Sequence, residues 1–255
     1  MAFVRYVALG DSQTEGLGDG DDVIGYRGWA DRFAERLAVD NPGLLYANLA
    51  VRGRLAAQVR DEQLAAALEL QPDLVTVMAG MNDLIRPGFD AARVSGVLEE
   101  MFAALTGAGA RVVTVTFPDI GRIAPLARPL IPRLLAFNQY VREAAARHEV
   151  TLVDTFPLVS VTDARMWCRD RLHASPVGHA MIAAAMAHAL ELPGSDDTWM
   201  RPLPALPPPG RLRTVAGEVR WLTSFAGPWI GRRLRGRSSG DGRMAKRPLL
   251  MPVGD

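Results

Sequence analysis

The chain reads as an α/β protein built on a parallel sheet covered by helices. Two observations predict it. Five short apolar runs recur along the first 194 residues, and segments of helical period separate them. The runs are apolar almost throughout rather than alternating, as strands buried on both faces are.

In order, the strand-like runs are Phe3–Leu9, Leu44–Leu49, Leu74–Ala79, Val112–Phe117 and Thr151–Val153. The first has no polar interruption beyond Arg5. Between them, Trp29–Val39, Ala56–Leu70, Ala91–Thr106 and Leu134–Glu149 carry helical patterning, with many alanines to favour helix and close packing. A last helix begins at Ser175-Pro176, serine as N-cap and proline in the first turn, and ends near Leu192 before Pro193-Gly194. The expected domain is therefore residues 1–194, and residues 195–255 form a C-terminal extension.

The extension differs in composition. Pro202, Pro204, Pro207, Pro208 and Pro209 make a stiff linker. An amphipathic stretch, Glu218 to Leu234, follows and is expected to break at Gly227-Pro228; Arg232 to Pro248 is basic and flexible in composition. Of the 29 basic and 28 acidic residues, the extension holds 11 and 5, a net of +6 against −5 for the rest. A mildly acidic domain thus carries a basic tail. The tail has two readings: a strap whose tryptophans pack on the domain, or a stretch that touches anionic lipid or a protein partner.

The single cysteine, Cys168, excludes an internal disulfide. The N-terminus shows neither a basic n-region nor a long apolar h-region, and no run of about 18 apolar residues exists. A cytoplasmic location is expected. The expected partner is a small molecule, with no nucleic acid; nothing in the pattern specifies an oligomeric state.

Four blocks follow the strands: Gly10-Asp11-Ser12, Asn48 to Gly53, Gly80-Met81-Asn82-Asp83 and Asp170-Arg171-Leu172-His173. Ligand sites in open α/β sheets lie beyond the carboxyl ends of the strands, which is where Ser12 falls. A serine hydroxyl needs a base to become a nucleophile. A histidine titrates close to neutral pH, so His173 is a fitting base. Asp170, three residues upstream, can orient its ring. The N–H groups of Ser12 and Gly53 and the amide of Asn82 supply donors for a developing oxyanion. Such chemistry needs no metal or organic cofactor.

As an ordered set, these blocks resemble the SGNH hydrolases, the GDSL-type esterases and lipases, over nearly all of residues 3–192. The resemblance implies a three-layer α/β/α flavodoxin-like sandwich with a five-stranded parallel sheet. It also implies Ser12 as nucleophile, Asp170 and His173 as its triad partners, and Gly53 and Asn82 in the oxyanion hole with Ser12. Departures are small: Ala50 replaces a glycine often seen after the asparagine, and Gln13 follows the serine. The implied reaction is hydrolysis of an acyl ester, of a short-chain acid, an acetylated sugar or a lipid. Acyl transfer by the same triad remains open, as does a non-enzymatic flavodoxin-like module suggested by Gly16-Leu17-Gly18-Asp19-Gly20. That loop has neither Rossmann nor P-loop spacing, and no Gly-x-Ser-x-Gly elbow is present.

Blander roles stand beside these. Ser12 with Glu15 fits a capping box. Asp11 is expected to brace the Ser12 turn, and Asn48, Asn82 and Asp83 have the chemistry of turn caps. Met166 and Trp167 read as packing or pocket-wall residues and Cys168 as a small buried hydrophobe. Pro118, Asp119 and Arg122 suit either a cleft wall or the surface. His179 and His188 read as helix residues, and a metal site from Asp170, His173 and His179 is the lesser alternative.

Overall fold

The computed structural model describes residues 2–205, 211–228, 231 and 239–254. Strands β1 (Arg5–Gly10), β4 (Leu45–Asn48), β5 (Leu74–Met78), β6 (Arg111–Val115), β7 (Thr151–Val153) and β8 (Arg247–Pro252) make one sheet in the order β7-β6-β5-β1-β4-β8. A separate hairpin pairs β2 (Gly20–Asp21) with β3 (Gly25–Tyr26). The helices are α1 (Ser12–Glu15), α2 (Trp29–Asp40), α3 (Ala56–Val59), α4 (Ala65–Glu69), α5 (Met81–Leu84), α6 (Ala91–Gly107), α7 (Ile120–Ile123), α8 (Ile131–Arg147), α9 (Pro176–Ala189) and α10 (Arg211–Trp221).

The five predicted strands are present and mutually parallel, with Val7 opposite Ala47 on one side and Val75 on the other. Every residue of β5 is buried, so both faces of the sheet are covered. α2 packs on α9 and α6 packs on α8, and the core runs through Tyr6, Phe33, Trp29, Phe102 and Phe137. Tyr6 stacks on Tyr46 and meets Phe33 edge to face. The helix expected over 56–70 is α3 and α4 joined by a π turn at Arg60–Leu64.

The sheet has six strands rather than five. β8, from the basic extension, pairs antiparallel with the edge strand β4. Pro248 and Pro252 hid it: proline removes a ladder donor and is tolerated only at an edge, which is where β8 lies. The stretch from Glu218 does not break at Gly227-Pro228 as expected. α10 continues through a π turn at Leu222–Ala226, and Gly227 and Pro228 are still helical. The wider turn before Pro228 relieves the clash its ring would make with an α-helical carbonyl. Trp229, Ile230 and Arg232 to Arg237 lie outside the described residues. Among the described residues, no helix is long and apolar enough to cross a membrane.

Consecutive connections leave β1 in opposite directions, to β4 on one side and β5 on the other. That reversal opens a crevice beyond the carboxyl ends of β1 and β5. The blocks carrying Ser12 and Asn82 sit at its two lips.

Candidate active site

The site is assembled on tight turns. Gly10 ends β1 where the chain has no room for a side chain: a Cβ would lie 2.4 Å from Thr14 Oγ1 and 2.5 Å from the Met78 carbonyl. Asp11 then caps the short α1, accepting from Gln13 N–H at 3.4 Å. The cap is Asp11, not Ser12, so the capping-box reading of Ser12 with Glu15 fails. Ser12 is left with its hydroxyl turned to a partner 161 residues away.

That partner is His173. Ser12 Oγ and His173 Nε2 are 3.0 Å apart, and His173 Nδ1 is 2.7 Å from Asp170 Oδ2. The other oxygen of Asp170 accepts the N–H groups of Leu172 and His173, each at 3.0 Å. Burial alone would raise the Asp170 pKa; the His173 hydrogen bond and charge and the two N–H donors outweigh it and hold the carboxyl below its usual range. Gln13 fastens this loop to α1, donating to the Leu172 carbonyl at 2.8 Å and accepting from Ala174 N–H at 3.1 Å.

Asp11 and Asp83 link the turns that carry the predicted oxyanion residues. Asn82 is buried at the start of α5, and its amide donates to Asp11 Oδ2 at 2.9 Å and to the Arg54 carbonyl at 3.1 Å. Asp83 accepts Ala56 N–H at 2.9 Å. The turn holding Gly53, whose φ is 77°, is thus tied to the block after β5. Asn48, fully buried, donates to the Thr14 carbonyl at 2.8 Å and accepts Ala50 N–H at 3.1 Å, a structural task. Asp11 stands among these groups with its pKa raised to about 6, chiefly by burial.

One feature escaped the sequence reading. Glu15 and Arg52 are both buried, and the Glu15 carboxylate accepts Arg52 N–H at 2.6 Å, Nε–H at 2.9 Å and a terminal N–H at 2.5 Å. The pair ties α1 to the residue before Gly53. The alternative metal trio does not form. His179 Nδ1 accepts Trp29 N–H and Nε2–H donates to the Leu17 carbonyl, both at 3.0 Å, and burial lowers its pKa to about 4. His188 lies against Trp199. Cys168 packs against Gly18 and Ala174.

An apolar cavity of about 80 Å³ adjoins α1, walled by Gln13, Phe117, Pro118, Met166, Trp167 and Met181. Asp119 caps α7 and pairs with Arg122, whose side chain is mostly exposed, so those two take the surface role.

Among solved structures, TesA is similar at 25% identity with a TM-score of 0.62, over 73% of this chain and 98% of that one. A lipase/acylhydrolase from Enterococcus faecalis matches at 21% identity and TM-score 0.59, over 79% and 100% of the two chains. An acetylxylan esterase of Geobacillus stearothermophilus, Axe2 in a catalytic-mutant form, matches at 18% and 0.62, over 79% and 99%. These likenesses carry the SGNH hydrolase fold. No curated protein matches the chain. The model of the GDSL-like lipase/acylhydrolase family matches residues 8–181, well over half the sequence. On that match, the chain belongs to the GDSL-like lipase/acylhydrolase family, whose members hydrolyse ester bonds.

Proposed function

We propose that the protein is a serine esterase that cleaves short acyl esters through an acyl-enzyme on Ser12. The observation that carries this reading is the unbroken chain from Ser12 Oγ through His173 to Asp170, at 3.0 and 2.7 Å. Ser12 Oγ attacks the ester carbonyl while its proton passes to His173 Nε2. Asp170 keeps the other ring nitrogen protonated and steadies the imidazolium. The carbonyl oxygen, now an oxyanion, is held by the N–H groups of Ser12 and Gly53 and by the amide of Asn82, one of whose N–H groups turns to it from the Arg54 carbonyl. The tetrahedral centre collapses, the bond to the alcohol oxygen breaks, and His173 gives that oxygen its proton. Water then repeats the sequence on the acyl-enzyme, releases the acid and returns the proton to Ser12.

The small apolar cavity beside Gln13 supports a short acyl group. A fluorophosphonate probe tests the nucleophile directly: labelling is expected at Ser12, together with hydrolysis of p-nitrophenyl acetate that Ser12→Ala abolishes. Absence of both overturns the proposal. A panel of acyl esters tests the chain length, and activity that climbs steeply toward long chains defeats that part. Competing alcohol acceptors, with product analysis, separate hydrolysis from acyl transfer.

A further inference from the structure

Asp170 has a partner that ester hydrolysis does not require. Its backbone carbonyl accepts the indole N–H of Trp221, at 2.7 Å, from the last residue of α10. The same helix grips the next residue. The Arg171 guanidinium reaches Glu218 at 2.7 Å and lies over the Trp221 ring, 5.2 Å from its centroid. Arg171 needs holding, because its φ is 58°, a left-handed conformation that side chains disfavour.

That conformation shapes the acid of the triad. The turn closes by Arg171 N–H to the Cys168 carbonyl at 2.9 Å and Cys168 N–H to the His173 carbonyl at 2.8 Å. In this closed turn Leu172 and His173 both donate to Asp170 Oδ1, leaving Oδ2 for the imidazole. Relaxing Arg171 to negative φ rotates the peptide that joins it to Asp170 and dismantles that set.

The extension also touches the opposite lip of the site. Gly240 packs so closely on the residue before Gly53 that a Cβ there would stand 2.0 Å from the Arg52 carbonyl. Arg243 pairs with Asp22 at 2.9 Å, and Asp22 also reaches Arg52. Described parts of the extension therefore rest on the loop carrying the acid and on the loop carrying Gly53.

We propose that the C-terminal extension is a working part of the active site, with Trp221 as the positioning residue that holds Asp170 in line with His173. The inference rests on the esterase reading. Its test uses the full chain with p-nitrophenyl acetate. Trp221→Phe keeps a ring over Arg171 but removes the N–H donor, and kcat is expected to fall about tenfold with KM almost unchanged. Trp221→Ala removes both contacts, and kcat should fall toward a hundredfold. Glycine holds a left-handed turn without help, so adding Arg171→Gly to Trp221→Phe should restore most of the lost kcat. Unchanged kcat in both Trp221 variants overturns the proposal, as does a loss that Arg171→Gly does not restore. Failure of the esterase reading looks different: the unsubstituted protein would then neither turn over ester nor label at Ser12.

Discussion

Glu15→Gln is the substitution that most directly asks what joins the turn carrying Ser12 to the loop carrying Gly53. The amide keeps the carboxylate's shape but removes its charge from a guanidinium whose side chain is 7% exposed. What remains for Arg52 is Asp22, at 3.3 Å and itself 53% exposed, and the Tyr26 ring at 4.7 Å. Stripping one partner from a buried ion pair costs about 3–5 kcal/mol. With Asp22 a weak substitute, a loss of about 3 kcal/mol is expected. At roughly 2–4 °C per kcal/mol for a domain of this size, Tm should drop by about 6–12 °C. The carboxylate also binds Arg52 N–H at 2.6 Å, so the backbone leading into Gly53 loosens and kcat should fall on the order of a hundredfold. Urea and thermal unfolding at pH 7.5 read the first effect; p-nitrophenyl acetate turnover reads the second. The double variant Glu15→Gln with Arg52→Met separates them. It removes the stranded charge and should recover most of the stability, while kcat stays low. A Tm within about 2 °C of the parent's in Glu15→Gln, outside the range above, would refute the argument from burial; an unchanged kcat would refute the argument from loop position.

Three further perturbations have defined outcomes. Asn82→Ala should lower kcat by about a hundred- to a thousandfold, and full turnover on p-nitrophenyl acetate removes Asn82 from the oxyanion role. Asp11, with its pKa raised to about 6, contributes stability that is complete below about pH 4 and lost as pH rises through 6. Asp11→Asn keeps a capping side chain and should gain on the order of 3 kcal/mol over the parent between those limits; urea unfolding from pH 4 to 8 measures it, and a pH-independent difference contradicts it. Gly178→Ala puts a Cβ 2.1 Å from the Met166 carbonyl, forcing α9 from the triad loop. A loss of about 1–3 kcal/mol is expected, and a neutral urea midpoint would show that this contact is slack.

The parts of the molecule legible in the sequence are those governed by local pattern. β5 and β6 are apolar runs because both their faces are covered, and the Ser175-Pro176 start of α9 is written in two adjacent residues. The Ser12–His173–Asp170 chain was legible because few side chains can combine as the proposed nucleophile, base and orienter. The parts that escaped depend on partners distant in sequence. Glu15 stands at the capping-box spacing from Ser12, yet its carboxylate goes to Arg52, 37 residues on. No local rule distinguishes the two fates. β8 has an ordinary edge-strand role, but two prolines erase its signature. Trp221 reads as one more apolar residue of an amphipathic stretch; only the closed turn at Arg171 turns it into a donor for Asp170.

The loops around the crevice lie beyond the sheet ladder, so their backbone groups need other partners. Buried amides take that place. Gln63 bonds both the N–H and the carbonyl of Gly10 at 2.9 Å, and Asn138 does the same for Phe117 at 2.9 and 2.8 Å. Gln13 serves the triad loop in the same two-sided way. Each such bond contributes only about 1 kcal/mol net, but its removal strands buried groups at about 1–3 kcal/mol each. Amides also carry no proton equilibrium, so this bracing is indifferent to pH. His179 is the exception, and its linkage runs against that of Asp11. Its pKa is lowered to about 4, so the stability it contributes is present above about pH 6.5 and drains as pH falls toward 4. Asp11 gains stability as pH falls over nearly the same interval. The two oppose each other, one on α1's cap and one on α9, and partly cancel. Removing only Asp11's carboxylate therefore does more than raise stability at neutral pH. It exposes the His179 loss, and the Asp11→Asn protein should unfold more steeply with acid than its parent.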